Sequence, residues 1–232
     1  MWVVQIDIMS GTRVETTRKA YNRPEELASS VAYAIGCAAA LVGLVFLLRS
    51  YVGFGGIAVF SVAVCGIASV AVFFIGTLTH LLPHNGKAAC LFARFDRASL
   101  AVLVLGVFSP IFLVGFDFGA HVDAVWGYTL FSIVAAAVIA AVVVNLLEVK
   151  EYKIVSLVLY VIIGWALVIR AHRIIALCGA RCFWTLIGGL AAYFIGLCVC
   201  AFESIPSRHA ISHAFIVVGA ALDFVCIYTF LL

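Results

Sequence analysis

Two histidines stand four residues apart in the segment His209-Ala-Ile-Ser-His213, at the head of the last apolar run of the chain. On a helix that spacing puts both side chains on one face, about 5–6 Å apart at Cβ. Imidazole is the commonest protein ligand for transition metals, and two rings so placed can reach one ion. Residues 214–232, which follow the pair, are almost wholly apolar. The histidines therefore sit at the mouth of a membrane span, where ionisable groups are costly and by default mark function. Without a metal, the same pair would simply face headgroups and water.

Composition identifies the elements that must hold these residues. Of 232 residues, 66% are hydrophobic and only 11% charged, with a mean hydropathy of +1.24. Soluble domains carry about 25% charged residues, so a soluble globular domain is excluded. The expected class is an all-α integral membrane protein that crosses the bilayer several times. A net charge of +3, with no basic patch interleaved with aromatics, excludes a nucleic-acid partner. Five of the eight cysteines (Cys37, Cys65, Cys198, Cys200 and Cys226) fall inside apolar runs and read as packing residues. Cys178 and Cys182 flank a connection and could pair in an oxidising compartment. The opening stretch MWVVQIDIMS lacks the basic start and cleavage site of a signal peptide.

The apolar runs are 27–48, 57–80, 98–116, 124–147, 154–169, 182–202 and 209–232, the fifth extendable to Tyr152. Each suits a bilayer core about 30 Å thick at 1.5 Å of helical rise per residue. They predict a seven-transmembrane helix bundle over 27–232, preceded by a polar tail over 1–26. A Gly-rich turn (Gly53, Gly55, Gly56) follows the first run, and basic loops are expected over 83–97 and 170–181. Pro110 inside the third run predicts a kink whose freed carbonyl a neighbour must satisfy. Gly188, Gly189, Ala192 and Gly196 in the sixth run allow a close helix contact.

Basic residues in the connections set the orientation. Arg13, Arg18, Lys19, Arg23, Lys87, Arg94, Arg97, Lys150, Lys153 and Arg208 fall on the tail's side, against Arg49, Arg170, Arg173 and Arg181 on the other. The amino terminus is expected to be cytoplasmic and the carboxyl terminus outside. The second run then ends inside at His80, the third begins inside just after Asp96, and the seventh begins inside with His209 and His213. Four groups from three helices share one depth. Three neutral imidazoles and an open position make a catalytic type of zinc site, with a bound water of pKa near 7. His80, His209 and His213 are the expected ligands. In HExxH proteases a glutamate inside the motif is the base, but Ala210 and Ile211 follow His209 here, so the base must come from another helix. Asp96 could hold the water or act as that base. On position alone, capping of the third span or pairing with Arg94 or Arg97 fits Asp96 equally well.

The segments EELASSVAYAIG (25–36), GTLTHLLPH (76–84), FARFDRASLAVLVLGVFSPIF (92–112) and ESIPSRHAISHAFIVVGAALDF (203–224) resemble the hemolysin III proteins. These are the bacterial branch of the progestin and adipoQ receptor family, related to adiponectin receptors and alkaline ceramidases. Spans four to six match in hydropathy more than in motif. The resemblance implies a seven-helix bundle with a cytoplasm-proximal zinc, ligands His80, His209 and His213, and Asp96 holding the water. Three positions depart from the family pattern. Gly76 replaces a usual serine four residues before His80, with Thr77 and Thr79 close by. Tyr33 stands where bacterial members commonly have histidine, and Asp223 replaces another, about 15 Å beyond His213 at helical rise. Asp223 is expected to face the bundle interior, hydrogen-bonded, and Gly76→Ser to raise activity if the missing serine matters.

The leading functional expectation is a zinc-dependent hydrolase in the cell membrane, acting on a lipid amide or ester that enters between helices. Its partner is then membrane lipid. The alternative is a non-enzymatic sensor or receptor, or a cytolytic pore-forming protein, with a structural zinc. The cytolytic label is implied by the family name only. Zinc transport needs a polar path, for which Asp223 and Asn145 are too few.

Overall fold

The computed structural model describes residues 23–82, 87–116, 124–147, 152–202 and 205–230. Within them the chain forms α1 (Arg23–Tyr51), α2 (Gly56–Leu81), α3 (Lys87–Pro110), α4 (Ala124–Leu147), α5 (Tyr152–Ile169), α6 (Ala171–Ala201) and α7 (Arg208–Phe230). Helix is the expected outcome for runs of this hydropathy. In hydrocarbon every backbone N–H and C=O must be paired internally, and a single segment can do that only as a helix. Among the described residues, six helices, α1 to α4, α6 and α7, are long and apolar enough to cross a membrane. The protein is therefore an integral, multi-pass membrane protein. Its outer surface agrees: Phe194 and Trp184 are each 65% exposed and Leu41, Phe60 and Ile139 stand out beside them, as lipid-facing side chains do.

Consecutive helices pack as neighbours, and α1 closes the arrangement by packing against α7 as well as α2. The most deeply buried helix is α3. Its Phe108 and Phe112, and Phe112 and Phe116, meet edge to face, with ring centroids 5.2 and 5.9 Å apart. Pro110 is followed at once by a π-helical turn over Ile111–Gly115. Proline cannot donate to the carbonyl four residues back, which is that of Gly106. The Ser109 hydroxyl lies 2.7 Å from this carbonyl and 2.7 Å from that of Ser61 on α2, one proton serving both. The expected neighbour is thus the residue next to the proline itself. On α4, Gly127 lets the π turn approach: a Cβ there would lie 2.1 Å from the Phe112 carbonyl oxygen.

Several boundaries differ from expectation. The expected loop over 83–97 is helical from Lys87, because its Ala, Leu and Phe residues continue the α3 pattern outward past the apolar run. The expected loop over 170–181 is helix from Ala171, broken only at Gly179, whose φ of 87° suits a residue without Cβ. Helix α1 begins at Arg23, ahead of the expected span start at 27. Hydropathy marks where a helix is immersed; the hydrogen-bond ladder runs on into the headgroup layer. Cys178 and Cys182 form no disulfide: both are free thiols, and the Cys182 Sγ also lies 3.0 Å from Cys226 Sγ on α7. Residues 1–22 of the expected tail lie outside the described residues.

Between α6 and α7 the mid-span carboxylate behaves as expected. Asp223 is 1% exposed and its Oδ2 accepts a 2.6 Å hydrogen bond from Tyr193. Gly189 and Gly219 make the room, since a Cβ at Gly189 would lie 2.2 Å from Asp223 Oδ1 and one at Gly219 2.5 Å from the Tyr193 ring.

Candidate functional site

The polar residues of the bundle gather at the end where α1, α3 and α7 begin and α2 and α6 finish. His80 occupies the last turn of α2, while His209 and His213 open α7. Ser207, at φ 52°, ends the connection before α7, and its carbonyl accepts the N–H of Ile211 to start the ladder that carries both histidines.

His80 and His213 meet directly: their Nε2 atoms are 2.9 Å apart and their ring centroids 4.7 Å apart. The rings of His209 and His213 stack at 6.5 Å, as neighbours one turn apart must. The Nδ1 atoms of His80 and His209 are met by other helices. Glu26 on α1 places Oε2 2.6 Å from His80 Nδ1, and Cys200 on α6 lies 3.5 Å from His209 Nδ1. A partner on Nδ1 leaves Nε2 free to face the site in these two rings, the outer-partner pattern of metal-ligating histidines. Glu25 closes the arrangement by accepting the His209 backbone N–H at 3.2 Å, a carboxylate at the positive end of the α7 dipole.

Asp96 is placed in the same region, within electrostatic reach of His80, Arg97 and Glu26. Because α3 begins at Lys87, Asp96 is too far inside the helix to cap it, so that alternative is corrected. Arg94 is engaged elsewhere, donating at 3.1 Å to the carbonyl of Leu146 at the end of α4. Asp96 Oδ1 and His213 Nδ1 are buried without a hydrogen-bond partner, as is Ser29 Oγ on α1. Burying such a group unpaired costs about 1–3 kcal/mol.

Among the described residues, no three His, Cys, Asp or Glu side chains stand close enough to hold a metal ion as they are. The donor set nonetheless fits zinc in kind. A tetrahedral ion about 2.0–2.1 Å from two imidazole nitrogens holds those nitrogens ~3.3 Å apart, a few tenths beyond the 2.9 Å between His80 and His213. Sequence reasoning found the three histidines and Asp96 but not Glu25, Glu26 and Cys200. Their signal was available: all three lie at the ends of helices that reach the same side as His80.

Residues 21–224 match the family described as Haemolysin-III related, which takes in every helix that contributes to this site. The chain belongs to that family. Among curated haemolysin-III relatives, it is 28% identical to the hemolysin-3 homolog of Bacillus subtilis (strain 168) over 205 residues, 88% of this chain and 92% of the relative. To the hemolysin-3 of Bacillus cereus it is 25% identical over 209 residues, 90% and 92% of the two chains. The haemolysin-III match reaches beyond the histidine motif into the first helix, where Glu25 and Glu26 lie, and ends at Phe224, after Asp223.

Tyr33 on α1 completes the wall. It is 2% exposed, with its ring 4.2 Å from that of His213 and 6.2 Å from that of His80. A Cβ at Gly76 would lie 2.0 Å from Tyr33 Cδ2 and 2.1 Å from Cε2. A serine at Gly76 would therefore meet a buried ring, which must shift to admit it.

Proposed function

We propose that this haemolysin-III-family protein is a zinc-dependent hydrolase of lipid amides or esters, in the cell membrane. It crosses seven times, α5 included, with its amino terminus in the cytoplasm and the site near the cytoplasmic face. One observation carries the reading: His80 and His213, from two helices, meet through Nε2 beside the buried Asp96, whose Oδ1 lacks a partner. His80, His209 and His213 would hold the zinc, which supplies Lewis acidity and acidifies water when bound. Glu26 and Cys200 orient two of the imidazoles from behind. Asp96 accepts the proton that water gives up as it adds to the substrate carbonyl, then returns it to the leaving amine or alcohol. The lipid reaches the site sideways between helices, its acyl chain remaining among the apolar side chains.

The name hemolysin-3 borne by the relatives favours a second reading, a cytolytic membrane protein whose zinc is structural. Metal content of the purified protein, with turnover on a panel of lipid amides and esters, separates the two. The hydrolase reading expects about one zinc per chain, lost in His209→Ala and His213→Ala, and turnover lost with it. Full zinc with no turnover on any lipid leaves the structural reading. Full zinc in the His209→Ala/His213→Ala double variant overturns both.

A further inference from the structure

Tyr33 and Gly76 exclude one another's alternatives. A side chain at Gly76 would begin within 2.1 Å of the Tyr33 ring, which is 2% exposed and would have to shift to admit it. Gly76 lies one helical turn before His80, so the volume beside the histidines that a side chain at that position would fill is filled by an aromatic ring from α1. The ring packs on His213 at 4.2 Å, and its hydroxyl lies within electrostatic reach of Asp96 and Cys200. A buried phenol needs a hydrogen-bond partner for its O–H.

We propose that Tyr33 is a hydroxyl-bearing residue of this site, admitted by Gly76, and that its O–H donates a hydrogen bond to the carbonyl oxygen of a bound lipid acyl group. This rests on the hydrolase reading and adds a donor to it. The proton stays on the phenol oxygen throughout; the hydrogen bond strengthens as negative charge grows on the carbonyl oxygen, the role of an oxyanion-hole donor. Gly76 is then a specificity feature of this chain, because any side chain there expels the ring that carries the hydroxyl.

The test uses full-length protein in nanodiscs with zinc supplied, comparing wild type with Tyr33→Phe and Gly76→Ser. Probes are a fluorogenic dodecanoyl amide, a dodecanoyl ester and, for binding without turnover, laurate. Tyr33→Phe keeps the ring and should keep zinc and melting temperature. Its kcat should fall about 10²–10³-fold with little change in KM, the loss typical of one oxyanion donor, and laurate should bind more weakly. Gly76→Ser should lower the melting temperature, and less so in a Tyr33→Ala background where the ring is gone. Should the wild type cleave neither probe yet bind laurate more tightly than Tyr33→Phe, the hydrolase reading fails while Tyr33 stands as the acyl contact. Equal kcat in wild type and Tyr33→Phe, or laurate binding that is absent or equal in the two, overturns the proposal. So does a Gly76→Ser protein as stable as wild type.

Discussion

Glu26 on α1 holds His80 on α2 by a 2.6 Å contact between Oε2 and Nδ1, so the first turn of one helix fixes the ring at the last turn of the next. Glu25 does the same for the backbone of α7. Acidic residues at a helix start ordinarily serve that helix's own dipole; these two serve their neighbours. The histidine cluster is therefore held from α1 although none of its imidazoles comes from α1.

Glu26→Gln tests that relationship. The amide keeps the length but offers a weaker acceptor to His80 Nδ1. Zinc affinity, measured by competition with a chromogenic chelator, should fall about 10- to 100-fold, the range for outer partners of ligating histidines. Unchanged affinity would mean that the contact with Glu26 does not tune the ring.

Asp96 distinguishes an enzyme from a binding protein. Asp96→Asn keeps size and reach but removes the base, so zinc should be retained while hydrolysis is lost. Three imidazoles already supply the protein's share of a tetrahedral site. Loss of zinc as complete as in the histidine variants would make Asp96 a ligand and overturn the division of roles.

Orientation is open to direct measurement through Cys90, which is exposed near the start of α3. In a variant retaining only that cysteine, a membrane-impermeant maleimide should label inverted vesicles and leave intact cells unlabelled. Labelling from outside intact cells reverses the orientation and moves the histidine cluster to the outer face.

Packing between α6 and α7 depends on Gly189. Alanine there would place its Cβ 2.2 Å from Asp223 Oδ1, whose partner oxygen is tied to Tyr193. Overpacking of this kind costs about 1–3 kcal/mol, so Gly189→Ala should melt at lower temperature in detergent while its zinc content is unchanged. A melting curve that superimposes on wild type would show that the two helices can part without loss.

Hydropathy and helical rise by themselves determined that this chain lives in a membrane, where its spans lie, and that His80, Asp96, His209 and His213 share one end of the bundle. They also showed that Pro110 must free a backbone carbonyl inside its span, because that follows from backbone geometry alone. Depth is a one-dimensional property and can be read along a chain. Which side chains touch at a given depth depends on the rotation of each helix about its axis, and side-chain volumes on neighbouring helices decide that jointly. Only the packed structure therefore brought Glu26 to His80, Cys200 to His209, and Cys182 to Cys226. The same holds for Tyr33 and Gly76, separate departures from a family pattern along the sequence that become one feature when α1 lies against α2 and a single ring fills the space.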